Sequence, residues 1–247
     1  SAPAAPMSAA SRPPPRSRPL PETIRLDDPA VEVRLSRSRA ARRFTLSVRP
    51  GDGAPRLTAP AEAGRREAER FLDRHAEWLR AALARTPGPV VVEIGARIPV
   101  AGEMLELAPF EGRGPARRAG GRLLTPRRGA GLAVAQYLKL AAREALVPAA
   151  EAAAARLGRP VGRVTLRDTR SRWGSCTARG DLAFSWRLAM APPAVQVYVA
   201  AHEAAHLVEM NHGPRFWALV DGLCPDHAAR RAWLRREGPG LHRYRFA

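Results

Sequence analysis

The stretch Pro192-Pro193-Ala194-Val195-Gln196-Val197-Tyr198-Val199-Ala200-Ala201-His202-Glu203-Ala204-Ala205-His206 decides how the rest of the chain is read. A proline pair suits the first turn of a helix, where the N–H that proline lacks would have no partner. Val195, Val199 and Leu207 recur at helical spacing, so a helix is expected from Ala194 to about Met210 with one face buried. Four residues apart, His202 and His206 sit one above the other on such a helix. Two imidazoles so placed can reach one metal ion, and Glu203, one position on, can reach a water bound to it. Ala200, Ala201, Ala204 and Ala205 frame the motif, and small side chains let a second layer approach closely. The plainer alternative is a helix that merely turns two histidines to solvent.

A catalytic zinc takes three protein ligands and keeps one position open. Two residues compete for the third place. His212 follows His206 across Asn211, a residue type that tolerates the left-handed conformation ending many helices, so the chain can turn back onto the metal. Glu209 is three residues after His206 on the same helix, where ligation would crowd the metal. It is better suited to orienting a ligand histidine from behind. His212 is therefore the expected third ligand.

Upstream, Arg170-Ser171-Arg172-Trp173-Gly174-Ser175-Cys176 reads by itself as a polar turn before a strand, with Trp173 as core and Gly174 for backbone freedom. Strands are expected at 161–166 and 182–188 on either side. A helix-rich block begins near Leu132, with an apolar face of Leu138, Ala141, Ala142, Ala145 and Leu146. Pro148 should kink or break it before it resumes through Ala155. Further strands are expected between 90 and 125, with an exposed hairpin loop in the Gly- and Arg-rich segment 112–129. Downstream, Pro214 opens a short helix with Phe216, Leu219 and Leu223 inward, and 228–237 forms a terminal amphipathic helix. Near the N-terminus, Val31, Val33 and Leu35 alternate with polar residues, as do Phe44, Leu46 and Val48, which predicts a hairpin. A third strand at 56–59 and one long helix over 61–85 follow. The expected organisation is thus a disordered Pro/Arg-rich tail (1–30), an N-terminal β-rich region (31–129) and a catalytic domain (130–247), α+β in class.

The chain has 247 residues, of which 45% are apolar, enough for a substantial core. No apolar run reaches the roughly 18 residues of a membrane span, and the first residues lack the apolar core of a secretory signal. Only Cys176 and Cys224 are present, so no disulfide framework is built and a reducing cytoplasm fits. The net charge of +18 is almost all arginine and permits a nucleotide or nucleic-acid partner on a basic surface. Its distribution argues for restraint: residues 188–229 carry Arg215 against Glu203, Glu209, Asp221 and Asp226, so the metal-binding segment is locally acidic.

Taken together, Arg172-Trp173-Gly174-Ser175-Cys176, Trp186-Arg187-Leu188-Ala189-Met190-Ala191-Pro192, the His202–His206 motif, Asn211-His212 and Arg215-Phe216-Trp217 resemble the YgjP-like metallopeptidase family, itself related to the SprT-like and Wss-type zinc proteases. The likeness covers about residues 30–245 and is close from 165 to 236. It implies a zincin-like domain preceded by a β-rich part, one Zn²⁺ per chain on His202, His206 and His212, Glu203 as general base, and a polypeptide substrate. It also puts Trp173, Gly174 and Ser175 near the cleft, without giving each a chemical role. Apart from the resemblance, Arg172 is the candidate oxyanion donor. Two alternatives come with it: hydrolysis of a nucleoside triphosphate such as UTP at the same metal site, and a DNA-associated protease or nucleic-acid-binding module. The spacing from His202 to His212 equals that of metzincins, but Glu209 stands at their glycine position and no Met-turn follows.

Overall fold

The computed structural model describes residues 22–27, 30–49, 51 and 53–246. Most of the expected tail lies outside these residues. Within it, however, Thr23–Leu26 is a strand, β1, which pairs antiparallel with β2 (Val31–Ser38) and buries Ile24 and Leu26. Two apolar residues in alternation suffice once a partner strand covers them, a signal that the surrounding Pro and Arg obscure.

The expected hairpin of residues 31–35 with 44–48 does not form. In the sheet order β1-β2-β4-β3, β4 (Pro55–Pro60) lies between β2 and β3 (Thr45–Val48) and runs parallel to β2. Alternation fixes which face of a strand is buried but not its neighbour. Leu57 and Ala59 are fully buried and take the central place. The single helix expected over 61–85 is two: α1 (Arg65–Arg74) and α2 (Ala76–Arg85). His75 interrupts them. Its Nδ1–H donates to the Phe71 carbonyl at 2.8 Å and its backbone N–H to Leu72 at 3.0 Å, so the turn tightens.

The chain divides into two compact units, one running up to Ser47 and including Pro55–Glu77, the other made of Val48–Ala54 and everything from Trp78 onward. The boundary expected at 129/130 is therefore not where the chain parts. After the short β5 (Val90–Val91), strands β6 (Arg97–Val100), β7 (Glu103–Phe110), β8 (Arg117–Ala119) and β9 (Arg122–Pro126) form a sheet in the order β6-β7-β9-β8. The loop expected in 112–129 is largely the β8–β9 hairpin. Ile98, Val100, Leu105, Leu107 and Leu123 share one core with the helices that follow, which joins this sheet to the second unit.

That core is organised by α3 (Ala130–Arg156), which runs continuously through Pro148. Proline removes one helical hydrogen bond, but Leu146 and Ala150 on either side are fully buried and hold the helix in place. Next comes a three-stranded sheet of β10 (Val164–Arg167), β11 (Gly174–Cys176) and β12 (Leu182–Ser185), in the order β10-β12-β11. The strand expected to reach 188 stops at Ser185, and Trp186–Met190 forms a 3₁₀ turn. The buried Arg187 explains the stop: its guanidinium forks onto Asp168 at 2.7 and 3.2 Å and donates to the carbonyls of Leu241 and Tyr244, each at 3.1 Å.

This turn leads into α4 (Pro193–Ala205), which packs along α3. The tip of the β6–β7 hairpin abuts its start. Ala101 and Gly102 both have positive φ, and their N–H groups donate to the carbonyls of Ala189 and Met190. A side chain at Gly102 would come within 3.0 Å of Pro192. The order closes with α5 (Pro214–Leu223), α6 (His227–Arg236) and β13 (Tyr244–Arg245), which pairs parallel with β5. No helix among the described residues is long and apolar enough to cross a membrane.

Candidate metal centre

Helix α4 buries Val195, Val199, Ala200, Ala201, Ala204 and Ala205, so its one polar stripe is held at a fixed height by packing on both sides. That stripe carries His202 and Glu203, with His206 at the C-cap. The helix was expected to reach 210 but ends at Ala205. The reason lies in His206, whose Nδ1–H donates to the Glu209 carbonyl at 3.0 Å while Leu207 and Val208 bond three residues back. The resulting turn carries Asn211 and brings His212 back over the helix. Trp217 holds it there, its Nε1–H donating to the His212 carbonyl at 3.2 Å.

One potential ligand atom from each of His202, His206 and His212 lies within 4.8 Å of the others. The Nε2 atoms of His202 and His212 are 3.1 Å apart. Four ligands at the ~2.0–2.1 Å usual for zinc–nitrogen bonds would be separated by about 3.3 Å in a tetrahedron, so this edge already has the length a shared ion requires. His206 gives up its Nδ1 to a carbonyl and so offers Nε2, the arrangement that fixes a ligand's tautomer. Burial, with the neighbouring histidines second, pushes the His202 pKa down to about 4, and burial also lowers that of His206. Both rings are neutral at pH 7, as metal ligation demands. The three residues thus fit a divalent ion by donor type and spacing.

Glu209 is not one of the three. Its main-chain carbonyl orients His206, while its carboxylate accepts the Asn211 N–H at 3.2 Å. The residue that sequence reasoning undervalued is Phe216, which had passed for ordinary core. It is fully buried, and its ring centre lies 4.9, 4.5 and 4.6 Å from those of His202, His206 and His212. It is the floor on which all three imidazoles rest. The signal was present in its position, four residues after His212 on the face that α5 turns toward α4.

Glu203 is 5% exposed. Burial pushes its carboxyl up to about 8, against the opposing charge of Arg172. Beside it lies Gly174, on β11. A Cβ placed there would stand 2.4 Å from Glu203 Oε1. Glycine is needed for space, not for the backbone freedom that the sequence suggested. Ser175 and Arg172, with Gly174, are among the residues that line a cavity of about 640 Å³. Trp173 points elsewhere. Its ring stacks on His242 with centres 5.0 Å apart, and it lines a second cavity of about 460 Å³ with Arg231, Leu234 and Arg235.

The profile of the family described as YgjP-like, metallopeptidase domain, matches residues 42–237. The chain belongs to the YgjP-like metallopeptidase family. No curated protein and no solved structure matches it. For this YgjP-like domain the match spans β11, α4, α5 and α6, so every residue of the histidine cluster and its carboxylate falls inside the family region.

Proposed function

We propose that this chain is a zinc-dependent peptidase of the cytoplasm, with His202, His206 and His212 as the ligands of one ion and Glu203 as general base. The observation that carries the reading is the convergence of three histidines beside a buried carboxylate in a metallopeptidase family. Zinc, when bound, supplies Lewis acidity for a scissile carbonyl and a lowered water pKa. Glu203 takes the proton of the attacking water and returns it to the leaving amine nitrogen. Burial raises its basicity toward the neutral range, which suits a group that must both accept and release a proton. Gly174 keeps that carboxylate in place. Arg172, whose charge reaches Glu203, is the candidate for stabilising developing negative charge.

The test pairs metal analysis with turnover of an unfolded polypeptide. Glu203→Gln should keep the wild-type metal content and lose about 10²–10⁴-fold in kcat. Wild-type turnover by this variant would refute the mechanism.

One observation favours a second reading, hydrolysis of a nucleoside triphosphate. The 460 Å³ cavity sets the Trp173–His242 pair beside the guanidiniums of Arg231 and Arg235, a surface that could take a base and phosphates. UTP hydrolysis in place of polypeptide hydrolysis, equally sensitive to Glu203→Gln, would select it.

A further inference from the structure

The three histidines are not held equally. His202 and His206 stand on α4 and at its C-cap, beside the fully buried Ala200, Ala204 and Ala205. His212 is exposed and follows the turn that ends the helix. In that turn the N–H groups of Asn211 and Gly213 bond no further than two residues back. What fixes His212 comes from later in the chain. Its ring lies against Phe216, and its carbonyl accepts the indole N–H of Trp217. The Trp217 ring centre is 6.0 Å from that of His212 and 5.9 Å from that of His202, so the cluster feels any shift of the indole.

Trp217 is engaged in turn by α6. The Arg231 guanidinium carbon lies 4.5 Å from its ring centre, and the His227 ring stacks on it at 5.5 Å with 23° between the planes. His227 and Arg231 are four residues apart, so both contacts come from one face of α6. Asp221, four residues after Trp217 on α5, reaches His227 Nε2 at 3.8 Å and ties the same two helices together. Arg231 has no carboxylate within ion-pair distance among the described residues, whereas Arg230 and Arg236 on the same helix do. A guanidinium over an indole face is attracted by the ring quadrupole, more strongly where water is partly excluded, and Trp217 is half-buried. We propose that Trp217 is a positioning residue for the third ligand, His212, and that Arg231 and His227 set its grip from α6. This rests on the metal-centre reading above and extends it, because retention of the ion then depends on a helix that supplies no ligand.

The test reads metal binding by the full chain and needs no turnover. Zn²⁺ affinity is measured by competition with a chelator, and the ligand set by the visible absorption of the Co²⁺-loaded protein. Trp217→Phe keeps a ring but loses the N–H donor, and should weaken Zn²⁺ binding about 10–100-fold and alter the Co²⁺ band. Arg231→Met and His227→Leu should each weaken it about fivefold, while Arg231→Lys, which keeps a cation over the ring, should stay close to wild type. In a His212→Ala background the same changes should have no further effect, because the residue they act through is gone. Equal losses with and without His212 would mean that α6 supports the whole cluster rather than the third ligand, and would overturn the proposal. So would wild-type affinity and an unchanged Co²⁺ band in Trp217→Phe. If that variant does not fold, the Arg231 pair decides: Met equal to Lys in affinity overturns the role of the cation on the ring. A wild-type chain that takes up no Zn²⁺ refutes the metal centre itself, an outcome distinct from tight binding that the α6 variants leave unchanged.

Discussion

Replacing Gly174 by alanine adds one methyl group at the most crowded point beside the proposed base. Its carbon would lie 2.4 Å from Glu203 Oε1, 2.6 Å from Cγ and 2.7 Å from Cδ, where ordinary contact begins at 3.4 Å. The carboxylate must therefore retreat by about 1 Å, and the fully buried Ala200 and Ala204 leave the helix beneath it little room. Overpacking of this kind costs about 1–3 kcal/mol, which lowers the melting temperature by several degrees in a chain of this size. The catalytic cost is separate. A base displaced by about 1 Å loses on the order of 10²-fold in kcat. None of the three histidines is touched, so metal content should equal that of the wild type. The assay is turnover of a quenched fluorescent polypeptide, run below the melting transition on protein whose zinc content has been measured. A kcat within about twofold of wild type, at full metal occupancy, would show that the Glu203 carboxylate is not held at the reacting centre by Gly174.

Three further outcomes follow from the same geometry. His212→Ala removes one of three converging nitrogens and should weaken zinc binding by at least about 100-fold in competition with a chelator, while unchanged affinity would move the third ligand elsewhere. The Cys176 thiol is pushed up to about 11, chiefly by burial and then by the charges of Glu203 and Asp181. A raised pKa means less thiolate below it, so alkylation at pH 8 should run about 100-fold slower than for an ordinary thiol and keep rising to about pH 11; site-resolved mass spectrometry measures this. Arg187→Met strips the buried carbonyls of Leu241 and Tyr244 of their donor and should cost about 2–4 kcal/mol in chemical denaturation, against less than about 0.5 if the contacts are incidental.

The residues of the site were legible where chemistry depends on spacing along one element. His202, Glu203 and His206 are a helix-period pattern, and a helix converts that period into one face whatever surrounds it. His212 was legible less directly, because its position depends on how the helix ends. That ending came out five residues earlier than periodicity suggested, with His206 making its own hydrogen bond to Glu209. The roles of Phe216 and Gly174 could not be read at all from local pattern. An apolar residue at helical spacing says only that it is buried, not that three imidazoles rest on it. A glycine before a strand does not reveal that a carboxylate from a different element fills the space its side chain would occupy.

The fold divides along the same line. Alternation and helical period by themselves determined the class of the protein and the existence of most of its strands and helices, because each depends on near neighbours in the chain. Tertiary structure alone decided that β4 separates β2 from β3, that α3 continues through Pro148, and that the sheet of β6 to β9 belongs with the helices. It also decided that arginines scattered between 163 and 179 line one cavity. These outcomes turn on which buried surfaces cover one another, a competition among segments far apart in sequence. No stretch of the chain carries that information by itself.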